Sequence, residues 1–195
     1  MNTFTPRTFS IPELKGISAK VIAEHIKLYE GYVTNANTVL TKADDLAKDA
    51  DTNAYVLNEV MRRFSFEWNG IKNHEKYFAL LEGGATPLTA ASPLEEAIKN
   101  TWGAVDAFLV RFKALAMTRG IGWAMLSKDR EGKLFIHWVD EQHLGQLQDT
   151  TPVIALDMWE HSFVADYQPS GKKKYVEDFF ANISFDVAEK NFISK

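Results

Sequence analysis

The chain has no cysteine. Disulfide scaffolds, thiolate nucleophiles, zinc fingers and iron–sulfur clusters are therefore excluded. Any metal must be held by nitrogen and oxygen. Excess positive charge is absent too: 22 Lys and Arg against 26 Asp and Glu give a net charge of −4, so a broad basic face for nucleic acid is not expected. No stretch approaches the ~20 apolar residues that a membrane span needs. Met1–Gly16 lacks a basic start followed by a long apolar run, so it does not read as a secretory signal. The expectation is a cytoplasmic protein without membrane or nucleic-acid partners. No GxGxxG, phosphate-binding glycine loop, GxSxG or HExxH occurs. What is present is 195 residues, 46% hydrophobic and 12% aromatic, enough for one sizeable core or two small ones.

Residues 1–16 read as extended, with Pro6, Pro12 and apolar anchors at Phe9, Ile11 and Leu14. From Ile17 a helical period begins: Val21, Ile22, Ile26, Tyr29, Val33, Ala36 and Leu40 recur at three- and four-residue steps, with Ser18 as N-cap. A second helix is expected through Val56, Val60 and Phe64, and a third through Ile71, His74, Tyr77, Phe78 and Leu81. Glu82–Ser92, with two glycines and a proline, breaks the pattern, and it places a domain boundary near residue 90. Beyond it, one helix is expected over Pro93–Met117 and strands over Ile121–Ser127, Lys133–Val139 and Pro152–Met158. Asp129–Gly132 would turn between the first two strands, and a helix would cover Lys174–Phe192. The expected class is α+β: an N-terminal helical hairpin domain (1–89), then an α+β domain (90–195) with a three-stranded antiparallel sheet.

Chemistry concentrates in Leu156-Asp157-Met158-Trp159-Glu160-His161, directly after an apolar strand. Asp157 could cap a following helix with His161 on its surface, or both could act at a site. Two further histidines bear on the choice. His25 lies between Ile22 and Tyr29 on the apolar face of the first helix, and His74 between Ile71 and Phe78 on another. A buried imidazole needs a hydrogen-bond partner or a metal. Three imidazoles and one carboxylate suit a first-row transition metal, provided the fold brings them together. His137 reads as a half-exposed strand residue. Gln142 and His143 lie in the polar loop after the second strand.

These residues resemble the iron/manganese superoxide dismutase family over nearly the whole chain. The anchor is Asp157-Met158-Trp159-Glu160-His161 with Asp166-Tyr167-Gln168. It is supported by Tyr32-Val33-Thr34-Asn35-Ala36-Asn37, Asn73-His74 and Gly120-Ile121-Gly122-Trp123-Ala124. The resemblance implies a helical N-terminal domain and an α+β C-terminal domain. One iron or manganese ion per subunit would sit between them on His25, His74, Asp157 and His161. It implies dismutation of superoxide anion in a homodimer or a tetramer. Tyr32 would be the gateway tyrosine and Trp123 and Trp159 the apolar wall. Glu160 would pair across a dimer interface with His161 of the other copy. Gln142 or His143 would contact the metal-bound solvent.

The sequence also departs from the family pattern. Leu28 and Val164 stand where a histidine and a tyrosine usually bond across the interface. Their joint loss is self-consistent, since one half buried alone would cost ~1–3 kcal/mol. Gly70 replaces a glutamine common in iron enzymes, and Gln142 falls where manganese enzymes supply theirs. A non-redox metal protein, or a non-catalytic one on the same fold, is the competing reading. Lys27 and Lys172–Lys174 are the candidate cations for drawing in an anionic substrate.

Overall fold

The computed structural model describes residues 3–194. Two long helices, α1 (Ala19–Leu46) and α2 (Ala50–Leu81), form an antiparallel hairpin. Ser18 caps α1 as expected, its hydroxyl accepting from Val21 N. A single 3-10 turn at Ala47–Asp49 reverses the chain, and Asp49 caps α2 through Thr52 N. The two helices expected over residues 56–81 are thus one. No proline interrupts the segment, and Gly70, the only glycine in it, stays helical. The extended N-terminal segment straps onto the hairpin: Phe4 exchanges two hydrogen bonds with the Asn37 amide, and Phe9 packs on Tyr29 and Phe78.

The second half holds α3 (Pro93–Trp102), α4 (Val105–Ala116), β1 (Gly122–Lys128), β2 (Leu134–Asp140) and β3 (Thr151–Asp157). After them come a 3-10 turn at Glu160–Ser162, α5 (Val164–Tyr167), a second 3-10 turn at Pro169–Gly171, α6 (Lys172–Asn182) and α7 (Phe185–Ile193). The sheet is antiparallel in the order β2–β1–β3, with β1 central and buried from Gly122 to Ser127. Helix α4 packs on β1 and β2, while α2 and α7 pack on β3. The α+β architecture with its three-stranded antiparallel sheet is the one expected.

Two expected helices are each broken once. Gly103, at φ +83, ends α3 in a conformation that only glycine adopts readily. Ser184 caps α7 through Val187 N and so separates it from α6. Neither break disturbs the apolar period, which runs on through both helices.

Register fixes the site. In the central strand, Trp123 pairs with Val139 on one side and Asp157 on the other. The last residue of β3 therefore lies beside the tryptophan that opens β1. Helix α2 packs on β3 and sets His74 against both. The buried core is continuous from the hairpin through the sheet to α6.

Candidate metal centre

Three imidazoles converge on one carboxylate oxygen. Asp157 Oδ2 lies 3.0 Å from His25 Nε2, 3.1 Å from His161 Nε2 and 3.5 Å from His74 Nε2. The four ligand atoms all fall within 4.8 Å of one another. Asp157 and His74 are fully buried, His25 is 1% exposed and His161 is partly open. The hairpin supplies two of these residues, the end of β3 one, and the 3-10 turn after it the fourth.

Two of the four residues, His74 and Asp157, are oriented by a second contact. His74 Nδ1 donates to Gly70 O, one helical turn back, at 2.6 Å. That bond fixes the tautomer and leaves Nε2 as a lone pair facing the centre. His74 Nε2 is buried and has no hydrogen-bond partner. A buried polar atom left unpaired costs ~1–3 kcal/mol, so a ligand is the expected occupant. Asp157 Oδ1 accepts from Trp159 N at 2.8 Å, which turns Oδ2 inward. Its backbone oxygen accepts from Tyr175 Oη at 2.9 Å, and Tyr77 Oη lies 3.2 Å from that hydroxyl. Nothing in the sequence singled out Tyr77 or Tyr175. Each reads as one more aromatic on an apolar helix face.

The electrostatics suit a cation. Burial, reinforced by His25, pushes the His74 pKa down to about 3. Burial also lowers that of His25, against the pull of Asp157. Burial alone would raise Asp157, but His161 and His25 outweigh it and hold the carboxyl below its ordinary range. At neutral pH, His25 and His74 thus offer neutral nitrogen lone pairs beside an ionised carboxylate, with His161 Nε2 on the same oxygen. That donor set fits a divalent or trivalent first-row metal.

A short polar chain runs outward from the centre. Gln142, in the loop after β2, is fully buried. Its Oε1 accepts from Trp123 Nε1 at 2.9 Å, and its Nε2 donates to Tyr32 Oη at 2.9 Å. An indole N–H can only donate, so this orientation of the amide is the consistent one. Asn73 Nδ2 holds the loop by donating to Gln142 O, also at 2.9 Å. His143, the other candidate from this loop, packs its ring on Phe66 at 5.7 Å. The Tyr32 ring lies 5.1 Å from His74 and directly over Gly70, where a Cβ would come within 2.5 Å of it. Gly70 is thus the space Tyr32 occupies, and a glutamine there would displace the ring. Burial, then the Asp157 and Glu67 charges, raise the Tyr32 pKa.

Trp123 packs on His74 at 5.0 Å and Trp159 stacks on His161 at 5.8 Å, so both tryptophans wall the centre. Glu160 is exposed beside His161, and His137 is a half-buried strand residue bonded to Ser127. A cavity of about 390 Å³ leads in from the surface, lined by Leu28, Gly31, Tyr32, Asn35, Arg63, Phe66, Glu67 and Trp159. Leu28 therefore faces the funnel as an apolar wall, while Val164 packs half-buried on the core in α5.

Comparison with known proteins agrees with the geometry. Residues 90–191 match the family described as iron/manganese superoxide dismutases, C-terminal domain. The superoxide dismutase [Fe] of Aquifex pyrophilus is 32% identical over 185 residues, covering 92% of this chain and 85% of that protein. The corresponding iron protein of Cupriavidus metallidurans is 33% identical, covering 92% and 90%. The superoxide dismutase [Mn] of Yersinia enterocolitica is 31% identical, covering 86% and 85%. With most of each chain matched and a buried His25–His74–Asp157–His161 cluster in place, the chain belongs to the iron/manganese superoxide dismutase family.

Proposed function

We propose that this superoxide dismutase works at one iron or manganese ion per subunit, held by His25, His74, Asp157 and His161. The two histidines of residues 1–89 and the two ligands of residues 90–195 would meet at the junction of two domains. One observation carries the reading: three imidazole nitrogens surround a single buried carboxylate oxygen, and one of them, His74 Nε2, has no hydrogen-bond partner.

An iron or manganese ion held there would supply the one-electron cycling that superoxide dismutation to O₂ and hydrogen peroxide needs. The chain's own residues manage access, water and protons. Trp123 and Trp159 keep bulk water from the ligands and lower the local dielectric, which strengthens charge interactions there. Tyr32 accepts a hydrogen bond from Gln142, so its own phenolic proton is free to be donated inward. Its raised pKa keeps that proton on the oxygen at neutral pH. Gln142, pinned at both ends, would set the position of the Tyr32 hydroxyl and tune the centre through it. Glu160 would act across a homodimer, on His161 of the other copy.

Among the described residues, no helix is long and apolar enough to cross a membrane. A cytoplasmic location is proposed, with which the cysteine-free composition is compatible, and fractionation beside a cytoplasmic marker checks it. The decisive test of function is reconstitution with iron and with manganese separately, measuring metal content and superoxide removal. At least one loaded form should be active, and His161→Ala should abolish both binding and activity. Full occupancy without activity in either form would sink the reading.

A further inference from the structure

An acidic protein with an anionic substrate needs local positive charge at the mouth of its site. The lysines suggested by the sequence do not supply it. Lys27 pairs with Glu24 at 2.8 Å on an exposed face. Lys172 donates to Thr118 O and lies over Trp138, and Lys174 pairs with Asp178. None of them, nor Lys173, lines the funnel. Among the described residues, Arg63 is the one cation that does.

We propose that Arg63 draws superoxide into the funnel above Tyr32, and that Glu67 is the positioning residue that holds it there. Arg63 Nε donates to Glu67 Oε1 at 2.9 Å, one helical turn along α2. The guanidinium also lies 3.6 Å from the centre of the Phe66 ring. Two contacts on one side fix an otherwise flexible side chain. The pair is asymmetric in depth: the Arg63 side chain is 54% exposed and that of Glu67 is 5% exposed. An arriving anion therefore meets the cation first, with the carboxylate beneath it. A guanidinium carries five N–H donors, and the Glu67 contact uses only the one on Nε. The terminal nitrogens are left to face the cavity or solvent. Glu67 Oε2 is buried without a partner, so this carboxylate is held chiefly by its arginine. With Leu28 apolar where the family usually has a histidine, the charge on this rim comes from α2.

This inference rests on the metal-site reading, and its test separates the two. The probe is azide, a monovalent anion, mixed by stopped flow with the metal-loaded protein while absorbance follows its association. Rim charges act mainly on association rates and their salt dependence. Arg63→Gln should slow azide association about fivefold at low ionic strength, the size of one unit-charge interaction at a few ångströms in water. The difference should vanish near 1 M salt, where the screening length falls to ~3 Å. Arg63→Lys should stay within about twofold of wild type, because it keeps the charge. The control is Arg62→Gln. Arg62 is a neighbour with the same charge, but it pairs with Glu59 on the outer face and does not line the funnel. It should change nothing. Equal slowing by Arg62→Gln and Arg63→Gln would mean that only net charge matters, and would overturn the proposal. So would an unchanged rate in Arg63→Gln, or a loss in Arg63→Lys as large as in Arg63→Gln. Metal content measured on the same samples reports separately on the ligand set.

Discussion

Both polar atoms of the Gln142 amide are committed, the oxygen to Trp123 and the nitrogen to Tyr32. Gln142→Leu keeps much of the volume and removes both bonds. The indole N–H would then be buried without an acceptor, at a cost of ~1–3 kcal/mol. Activity per bound metal should fall ~10–100-fold, as it does when groups that orient a metal site are lost. Calorimetry and metal-normalised assays check the two effects separately, and unchanged specific activity would leave the amide a purely structural role. The ligands also make a pH prediction for metal-free protein. His74 binds its proton near 6.5 when unfolded but only at about 3 when folded. Below the unfolded value the unfolded chain binds more protons, so stability falls as pH drops from about 6.5 towards 3. Asp157, depressed in the fold, adds a loss below about 4. Thermal melts of the apo-protein should be flat from pH 7 to 8 and drop steadily below 6.5. A melting temperature that rises on acidification would contradict these burial effects. At this scale the sequence made the cluster of His25, His74, Asp157 and His161 legible, because two histidines on apolar helix faces and an aspartate and histidine just after an apolar strand are conspicuous. That Gln142 rather than His143 bonds to both Trp123 and Tyr32 was not legible, since adjacent loop residues carry no periodicity to say which points inward.

Helix α2 runs 32 residues through a glycine, and the reason lies on α1. In an exposed helix interior, Gly→Ala stabilises by ~1 kcal/mol. Gly31, in the middle of α1, has nothing within 4 Å of an added Cβ, so Gly31→Ala should follow that rule. At Gly70 an added Cβ would lie 2.5 Å from the Tyr32 ring, so the same substitution should reverse sign. Overpacking of this kind typically costs 1–3 kcal/mol, and it would push the phenol off Gln142. We expect Gly31→Ala to raise the melting temperature, and Gly70→Ala to lower both melting temperature and activity. A stabilising Gly70→Ala with full activity would show that the ring can move without consequence. Periodicity alone found α1 and all three strands. It missed the ends of α3 and α6, because a helix break leaves the apolar period intact and announces itself only through Gly103 or Ser184. It also divided α2 into two helices, one through Phe64 and one from Ile71, where the structure has one.

At the scale of the whole molecule, the single chain leaves one of the four clustered side chains incompletely covered. The His161 side chain is 21% exposed, whereas those of His25 and Asp157 are fully buried. Glu160 stands exposed beside it. A two-fold axis passing close to this turn would set each Glu160 against His161 of the other copy, closing both sites with one self-complementary contact. That arrangement would cover the exposed imidazole and give its outer nitrogen a carboxylate, which raises the basicity of a metal-ligating histidine. It also makes metal retention depend on assembly. Wild-type protein should elute with light-scattering mass about twice 22.1 kDa. Glu160→Ala should shift it towards the monomer on dilution, and metal should be lost in step. Glu160→Gln keeps the shape and removes the charge, so it should hold the dimer better than alanine while still releasing metal faster than wild type. A monomeric wild type that retains its metal on dilution would show that one chain completes the centre alone, and that Glu160 is only a surface carboxylate.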